Sequence, residues 1–376
     1  MKLPKEAWVG LLGGDPRPWL LESEEPAARF VALTGLLDVP EGSAEAKAAR
    51  TAVLEDRATR WLIDRLPSWD AAISGHNSPQ FGPNLLNLLA DMGARRGDAP
   101  HIEALLDEIL QHQRPDARFE SKGRYPTMKG ERWGSLLCDH HAAVEVLLRF
   151  GRGSDPRVKA ALERMSADLT ETAQGRAWPC VPEEASGFRG PGRKADFCPM
   201  VTLEALRVFA RVPEKLRPAA LDEVVRACLR AWSARASEKP YMFGHGQQFK
   251  TVKWPQIWYG AGWMLDAVGR HPGAWSGRGH GEERRAVAEI AACLVAYNFA
   301  PDGRVTPLSC YQGFQELSLG QKKVPSAFAT AQLCVVLRRL GGLAKEIREI
   351  DVLSLASSKG GSGTARPPKV AGWRNG

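Results

Sequence analysis

The sequence predicts an all-α fold: an α/α toroid, in the form of an (α/α)6 barrel of six helix pairs. Apolar residues recur at positions i, i+3, i+4 and i+7 in segment after segment, and β-branched runs are scarce. Short, very apolar segments alternate with segments that have a stronger polar face. Because the apolar segments recur about sixty residues apart, a helix pair is predicted as the repeating unit.

Inner helices are predicted at the most apolar segments, because a helix that is apolar on every side must be buried. These segments are 29–38, 84–93, 142–151, 202–211, 262–270 and 328–341. Three of them end in glycine or are followed closely by one, which is a common C-terminal helix cap.

Outer helices are predicted at the amphipathic segments between the apolar ones. These segments are 43–66, 101–113, 156–169, 216–234 and 283–299. An open stack of helix pairs needs a polar repeat at each end, and the sequence offers no obvious one. We therefore expect the pairs to close into a ring.

The links that follow the outer helices also resemble one another, at 111–119, 172–180 and 297–305. Each combines a polar residue, then Asp or Gly, then Arg, and usually an aromatic residue or Val. This composition predicts a turn followed by an aromatic side chain that packs back onto the helices.

Three regions are predicted along the chain: an N-terminal extension over 1–17, the toroid domain over 18–350, and a basic Gly/Ser/Pro tail over 351–376 that is disordered by composition. No apolar run reaches the roughly 18 residues of a membrane-spanning helix, so no membrane span is expected. The apolar patch near the N-terminus is too short for a signal peptide. We expect a cytoplasmic protein.

The cysteines and the net charge narrow the classes of function. Seven cysteines without a CxxC pair do not form a disulfide framework. Three of them, Cys228, Cys293 and Cys334, lie in apolar helical segments and are expected in the core. The net charge of +8 mildly favours acidic partners such as phosphates or nucleic acid.

One end of the predicted ring collects basic and aromatic residues. If the inner helices run parallel, the loops that enter them share one face, and backbone N–H groups and positive helix ends add to the basic side chains there. An aromatic cavity beneath this rim would suit an amphiphile with an anionic head. The expected substrate-binding residues are Trp133, Arg193, Lys194, Lys250, Lys253, Trp254, Trp258 and Tyr259. The alternative is that the lysines are merely solvated and the tryptophans fill helix junctions.

Some of these features resemble a known family. Gln174, Gly175 and Trp178 form a degenerate copy of the Gln…Gly…Trp turn of squalene cyclases and protein prenyltransferases, and Gln113, Asp116 and Phe119 form a fainter one. The opening segment 18–38 also resembles bacterial squalene-cyclase-like proteins, so the resemblance extends from residue 18 to about 342.

The resemblance implies an α/α toroid that acts on an isoprenoid or another apolar phosphorylated substrate, as a transferase, cyclase or other lyase. The DxDD and DDxxD motifs of the two standard classes of terpene cyclase are absent from the sequence. That absence argues against both of these cyclase classes.

The resemblance also implies a zinc site. Asp196-Phe197-Cys198 matches the DxC pair by which protein prenyltransferase β-subunits bind zinc. The histidine of that family has no counterpart in 257–264, and His245 is the substitute that the sequence offers. The expected zinc ligands are therefore Asp196, Cys198 and His245.

A second group of candidate residues lies one repeat earlier. Aligning VEVLLRF with TLEALRVF places Asp139 opposite Cys198 and brings the segment 138–141 alongside the DxC pair. Thiolate, imidazole and carboxylate are suitable zinc ligands, and Cys180 could join them. Without a metal, Asp139, His140 and His141 are the expected catalytic residues for acid–base chemistry. A Cys198–His140 nucleophile pair and a purely structural Asp–His pair beside a buried thiol remain alternatives.

Two other functions remain open beside the toroid enzyme. One is an (α/α)6 enzyme that acts on carbohydrate, which usually needs paired carboxylates. The mouth loops supply few: Glu131, Asp139 and Asp196. The other is a non-enzymatic protein that binds nucleic acid or a protein partner through the basic rim and tail.

Overall fold

A computed structural model describes residues 6–124, 129–184, 186–190, 192–240, 246–277 and 279–355, with the backbone alone at position 247. The structure is mostly helical, with 51% of residues in helices. The described part of the chain forms fifteen α-helices: α1 Arg17–Leu21, α2 Pro26–Val31, α3 Ala44–Glu55, α4 Arg57–Asp64, α5 Gly82–Met92, α6 Pro100–Gln111, α7 Leu137–Arg149, α8 Pro156–Ala167, α9 Pro199–Phe209, α10 Leu221–Ser233, α11 Gly246–Lys250, α12 Ala261–Val268, α13 Gly281–Asn298, α14 Ala327–Arg339 and α15 Ala344–Glu349.

Strands are few and very short. The antiparallel pairs are β1 (Ser121–Gly123) with β2 (Arg132–Gly134) and β3 (Thr170–Thr172) with β4 (Gly175–Ala177). A third pair, β5 (Lys253–Trp254) with β6 (Ser309–Cys310), is parallel. The predicted all-α class is therefore confirmed.

The chain divides into two compact units. The first unit combines Met1–Asp56 with Leu229–Gly376, and the second is the continuous stretch Arg57–Cys228.

In the second unit, the segments predicted as inner helices form buried, neighbouring helices. Every residue of α9 is buried, as are all but one of the eleven residues of α5. The α7 helix packs against both α5 and α9. A helix that is apolar on every face is thus buried between two neighbouring helices.

In the first unit, α14 packs against α12 and also against α2, which π-helical turns extend over Ala32–Leu36. Glu25, the residue before α2, accepts hydrogen bonds from the Ser318 hydroxyl at 2.7 Å and from the backbone N–H of Phe328 at 3.0 Å. Burial raises the pKa of this carboxyl. The first and the last of the very apolar segments are therefore neighbours.

The sequence predicts an extension at the N-terminus and a disordered tail at the C-terminus. Within the predicted N-terminal extension, Trp8 and Leu11 are buried, and the short turn Val9–Leu11 packs against α15. Most of the predicted tail, residues 356–376, lies outside the described residues.

The segment 43–66, expected as one outer helix, is two helices. Asp56 takes an extended backbone (φ −63°, ψ 135°) between α3 and α4. Aspartate favours helix ends because its carboxylate competes for nearby backbone N–H groups, which accounts for a break at this position.

The three links close as predicted. Gln113 bridges Phe119, β3 pairs with β4, and Phe299 bridges Val305. The apolar residue that follows each turn, Phe119, Trp178 or Val305, is buried.

Each link is also attached to the following helix by the same hydrogen bond. The backbone N–H of Phe119 donates to His140 Nδ1 at 3.1 Å, that of Trp178 to Thr202 Oγ1 at 3.2 Å, and that of Val305 to Thr330 Oγ1 at 2.9 Å. All three acceptors are the fourth residue of their helix. His140, Thr202 and Thr330 therefore occupy equivalent positions of the repeat.

This equivalence corrects the alignment made from the sequence. If His140 corresponds to Thr202, then Leu136, and not Asp139, corresponds to Cys198; both directly precede their helices. The sequence alignment was displaced by three residues. A shift of three changes the helical face by less than a fifth of a turn, so the apolar pattern alone cannot determine the register.

Among the described helices, none is by itself both long and apolar enough to cross a membrane. Ala327–Arg339 and Gly341–Glu349 meet that criterion only when taken together, across a bend of 66°.

Candidate functional site

The residues expected to perform acid–base chemistry lie in the first turns of α7, inside the second unit. Asp139 is 3% exposed, and His140 and His141 are fully buried. The structure does bring the three together, but none of the side chains reaches the surface. Their chemistry follows from the partners that each one has inside the protein.

His140 holds the link that precedes its own helix. Because its Nδ1 accepts the backbone N–H of Phe119, the ring proton of the neutral form is on Nε2. Burial, with His141 and Arg118 nearby, places the pKa of His140 well below its usual value. The imidazole is therefore neutral, and it occupies the position that threonine occupies in the equivalent repeats.

His141 joins α7 to α9. Its Nδ1 donates to the carbonyl of Val201 at 3.0 Å, and its ring meets that of Trp178 edge-on, with the centroids 6.1 Å apart. Burial lowers the pKa of His141 to about 4. A neutral ring with its proton on Nδ1 leaves an unprotonated Nε2, which has no hydrogen-bond partner in the described structure.

Asp139 differs from the two histidines because its pKa lies close to neutral pH. Its Oδ2 accepts from the Ser121 hydroxyl at 2.6 Å, and its Oδ1 accepts from the Cys138 thiol at 3.7 Å. Burial raises the pKa of Asp139 to about 6, although both hydrogen bonds favour the charged form. A carboxyl with such a pKa can either give or take a proton near neutrality.

Asp139 is one of three potential metal ligands that lie close together. One ligand atom from each of His76, Cys138 and Asp139 lies within 4.8 Å of the other two. Burial lowers the pKa of His76 to about 4, so its imidazole is neutral, as metal binding requires. Imidazole, thiolate and carboxylate are the donor types that zinc takes, at bond lengths of about 2.0–2.3 Å. The donor set therefore fits zinc in kind.

The expected ligands Asp196, Cys198 and His245 are arranged differently. Both carboxylate oxygens of Asp196 are engaged: Oδ1 accepts from Gln174 Nε2 at 3.0 Å and Oδ2 from Arg193 Nε at 2.7 Å. His245 lies outside the described residues. Asp196 thus holds the link through Gln174, the glutamine of the degenerate turn motif.

Cys198 is paired with a second thiol. An isolated antiparallel bridge joins Pro179 to Phe197, and next to it the backbone N–H of Cys198 donates to the carbonyl of Trp178 at 2.8 Å. On this bridge the side chains of Cys180 and Cys198 are hydrogen-bonded to each other. The sulfur of Cys180 also accepts the backbone N–H of Gly190 at 3.1 Å.

Sequence reasoning overlooked two buried acids, Glu145 on α7 and Glu204 on α9. Burial alone would raise the pKa of Glu145, but the guanidinium groups of Arg207 and Arg211, at 2.8 and 3.3 Å, hold it below its usual value. Burial, together with Glu145 and Asp139, raises the pKa of Glu204 well above its usual value. An acid inside a run as apolar as TLEALRVF was a signal for such a site.

The expected substrate-binding residues divide between the units. In the second unit, Trp133 stacks on His112 with the ring centroids 3.8 Å apart, Arg193 is held by Asp196, and Lys194 is exposed. Trp133 therefore packs on a ring, Arg193 forms an ion pair within its loop, and Lys194 is solvated.

The remaining five belong to the first unit. The ammonium group of Lys250 lies 5.3 Å from the ring centroid of Tyr297, and that of Lys253 lies 3.7 Å from the ring centroid of Tyr311. Trp254 is buried, and Trp258 and Tyr259 pack with their ring centroids 4.9 Å apart. Both lysines are therefore placed over aromatic faces, where their charge is partly balanced.

A small apolar cleft in the second unit, with a volume of about 10 Å³, adjoins Asp139 and has room for about one water molecule. Its walls include the stacked rings of Trp69 and Phe81, 5.7 Å apart, together with Ile73. Ser121, which donates to Asp139, and Lys122, which is paired with an exposed aspartate, also line it. The cleft combines aromatic walls, one cation and a hydroxyl bonded to a buried carboxyl.

Comparisons of the chain with protein-family models, with curated proteins and with solved structures each find no match. The chemistry of the residues themselves is therefore the basis for any function.

Proposed function

We propose that this protein is an α/α toroid enzyme of the terpenoid cyclase and prenyltransferase type, which holds zinc at His76, Cys138 and Asp139. Its substrate is an apolar molecule with an anionic group, of the isoprenoid phosphate kind. The observation that carries the proposal is the convergence of these three donor side chains within 4.8 Å of one another, beside an aromatic cleft.

Helix neighbours in both units support the toroid. In one unit α5, α7 and α9 are successive neighbours, and in the other α12, α14 and α2 are. The six helices of the two series match in number the inner helices of an (α/α)6 barrel. The contact between α2 and α14 brings together the first and the last of the very apolar segments.

Two of the three donor side chains are already in the state that zinc needs. His76 is neutral, and Ser121 orients the carboxylate of Asp139 through Oδ2. Bound there, zinc would hold Cys138 as a thiolate and act as a Lewis acid. The neighbouring His140 and His141 remain structural, because their Nδ1 atoms are engaged with the backbone.

The cleft supports an apolar substrate with an anionic group. Trp69 and Phe81 are nearly fully buried, so an apolar chain has to widen the cleft before it contacts them. Each Å² of apolar surface then removed from water contributes roughly 25 cal/mol. Lys122 supplies a positive charge for a phosphate, which would displace its surface ion pair with Asp70. Such exposed pairs contribute only about 0–1 kcal/mol, so a phosphate can replace them.

Metal analysis of the full-length protein, purified without added metal, tests the zinc site. We expect about one zinc ion per chain, and loss of most of it in Cys138→Ser, because a thiolate ligand is removed. Cys228→Ser is the matched control, since it makes the same change at another fully buried thiol. The zinc site is refuted if the wild-type protein contains no zinc, or if both variants keep it.

Calorimetric titration with farnesyl monophosphate tests the cleft. We expect Lys122→Gln to weaken binding by about tenfold, which is roughly 1.4 kcal/mol. Lys194→Gln, at an exposed lysine outside the cleft, should leave the affinity unchanged. Equal affinities of the wild type and Lys122→Gln would exclude this cleft as the anion site.

A further inference from the structure

We infer that Cys180 and Cys198 are a redox-active dithiol that forms a reversible intramolecular disulfide, with Cys180 as the attacking thiol and Cys198 as the resolving one. The pair shares no residue with the proposed ligands His76, Cys138 and Asp139, although both of its thiols act electrostatically on Cys138.

The backbone places the two cysteines diagonally on one side of a short antiparallel pairing. Because Pro179 is bridged antiparallel to Phe197, Cys180 lies opposite Asp196 and Cys198 lies opposite Trp178, and the two cysteine side chains leave the pairing on the same side. The Cys198 N–H to Trp178 carbonyl bond fixes this register. The two thiols are hydrogen-bonded to each other, and disulfide formation brings the sulfur atoms to a separation of about 2.05 Å.

The surroundings of Cys180 favour its thiolate. Its sulfur receives the Cys198 thiol proton and the backbone N–H of Gly190, and the Arg189 guanidinium adds a positive charge. These groups lower the pKa of Cys180 despite partial burial. Cys198 donates to that sulfur and is desolvated, which raises its own pKa. The attacking and resolving roles follow from this asymmetry.

Access also distinguishes this pair from most of the other thiols. Cys180 and Cys198 are both partly exposed, whereas Cys138, Cys228, Cys293 and Cys334 are buried. Burial raises the pKa values of those four thiols, so without a bound metal they stay protonated. Cys310, the remaining partly exposed cysteine, donates its thiol to two backbone carbonyls.

The oxidant that we propose is a low-molecular-weight disulfide, RSSR. The Cys180 thiolate attacks one of its sulfur atoms, which forms a Cys180–S–S–R mixed disulfide and releases one RS⁻. Cys198 then loses its proton and attacks the Cys180 sulfur, which forms the Cys180–Cys198 bond and releases the second RS⁻. The two thiol protons end on the two RSH molecules, so the protein loses two electrons and RSSR gains them.

The test uses the full-length protein, fully reduced, freed of reductant and incubated with oxidised glutathione. Thiols are then counted by maleimide labelling after denaturation, and disulfides are located by peptide mass spectrometry without reduction. We expect two of the seven thiols to disappear and a single cross-linked peptide pair that joins Cys180 to Cys198. Retention of all seven thiols, or a disulfide between other cysteines, overturns the inference.

Three variants distinguish the attacking thiol from the resolving thiol. Because each variant gives its own result, the test does not depend on a single substitution. Cys198→Ser should stop at the mixed disulfide and carry one glutathione on Cys180. Cys180→Ser should react several-fold more slowly and form no intramolecular disulfide. Cys310→Ser, the control at a comparably exposed thiol, should form the Cys180–Cys198 disulfide normally. If Cys198→Ser remains folded by circular dichroism and carries no glutathione, Cys180 is not the attacking thiol.

Discussion

The backbone N–H of Phe119 donates to Nδ1 of the buried His140 over 3.1 Å. The same bond, with threonine as the acceptor, attaches Trp178 to α9 and Val305 to α14. A histidine that sequence alone assigns to proton transfer is thus one copy of a repeated structural bond. Protonation of Nδ1 would remove the acceptor and place a charge in the interior, so a neutral ring is part of the fold.

Replacing His140 should therefore affect stability according to the acceptor that remains. His140→Ala leaves the buried N–H of Phe119 without its acceptor, which costs about 1–3 kcal/mol. It also leaves a cavity, which adds to the loss. His140→Asn keeps an oxygen near the position of Nδ1 and should lose less. Urea unfolding of the two variants measures the difference, and equal losses would contradict the structural role.

Replacing only Arg207 of the Glu145–Arg207 pair should lower the free energy of unfolding strongly. Replacing both residues should lower it much less. Arg207→Met leaves the Glu145 carboxylate buried with weaker compensation, and we expect a loss of about 3–5 kcal/mol in the free energy of unfolding. Adding Glu145→Gln to that variant removes the stranded charge and should restore much of the loss. The four unfolding free energies of the double-mutant cycle test this, and purely additive losses would exclude a strong coupling.

Glu204 should make stability depend on pH in a specific direction. Because burial raises its pKa in the folded state, its contribution is fully present below the unfolded pKa, about 4.3, and is lost as the pH rises through the folded pKa. Glu204→Gln cannot ionise, so it should become more stable relative to the wild type between pH 5 and pH 8. Urea unfolding at several pH values gives this difference. Parallel curves for the two proteins would show that the Glu204 carboxyl is not desolvated.

Cys180 should react with iodoacetamide as a thiolate at neutral pH. The rate at Cys180 should level off at a lower pH than for an ordinary thiol, whose pKa is about 8.5. Arg189→Gln removes a positive charge and should shift this profile to higher pH, while the profile of Cys310 stays unchanged. Peptide mass spectrometry after timed alkylation measures both sites in one sample. Coincident profiles for Cys180 and Cys310 would contradict the prediction.

The helices and the turns were accessible from the sequence because both depend on local patterns. Segments such as 84–93 and 202–211 are apolar on all sides, and the structure makes them buried helices. Phe119 and Trp178 follow turn residues and pack back as expected. In each case residues that are close together in the sequence determine the local structure.

The site was only partly predictable because its partners come from distant segments. His76 lies in a loop far from Asp139 in the sequence, and no spacing motif links the two. The DxC pair matched a family pattern, yet Gln174 and Arg193 engage the carboxylate of Asp196. A displacement of three residues in the repeat alignment was enough to place the wrong residue opposite Cys198.

The contact between Glu25 and Phe328 has a consequence for the order of events during synthesis. The two residues are 303 positions apart, so α2 cannot complete its contacts until α14 has left the ribosome. At about 5–20 residues per second, the wait is roughly 15–60 s. The continuous unit Arg57–Cys228 has no such dependence and can complete its contacts first. During that interval the face of α2 that packs against α14 lacks its partner, which makes the N-terminal segment of the nascent chain a natural client for chaperones.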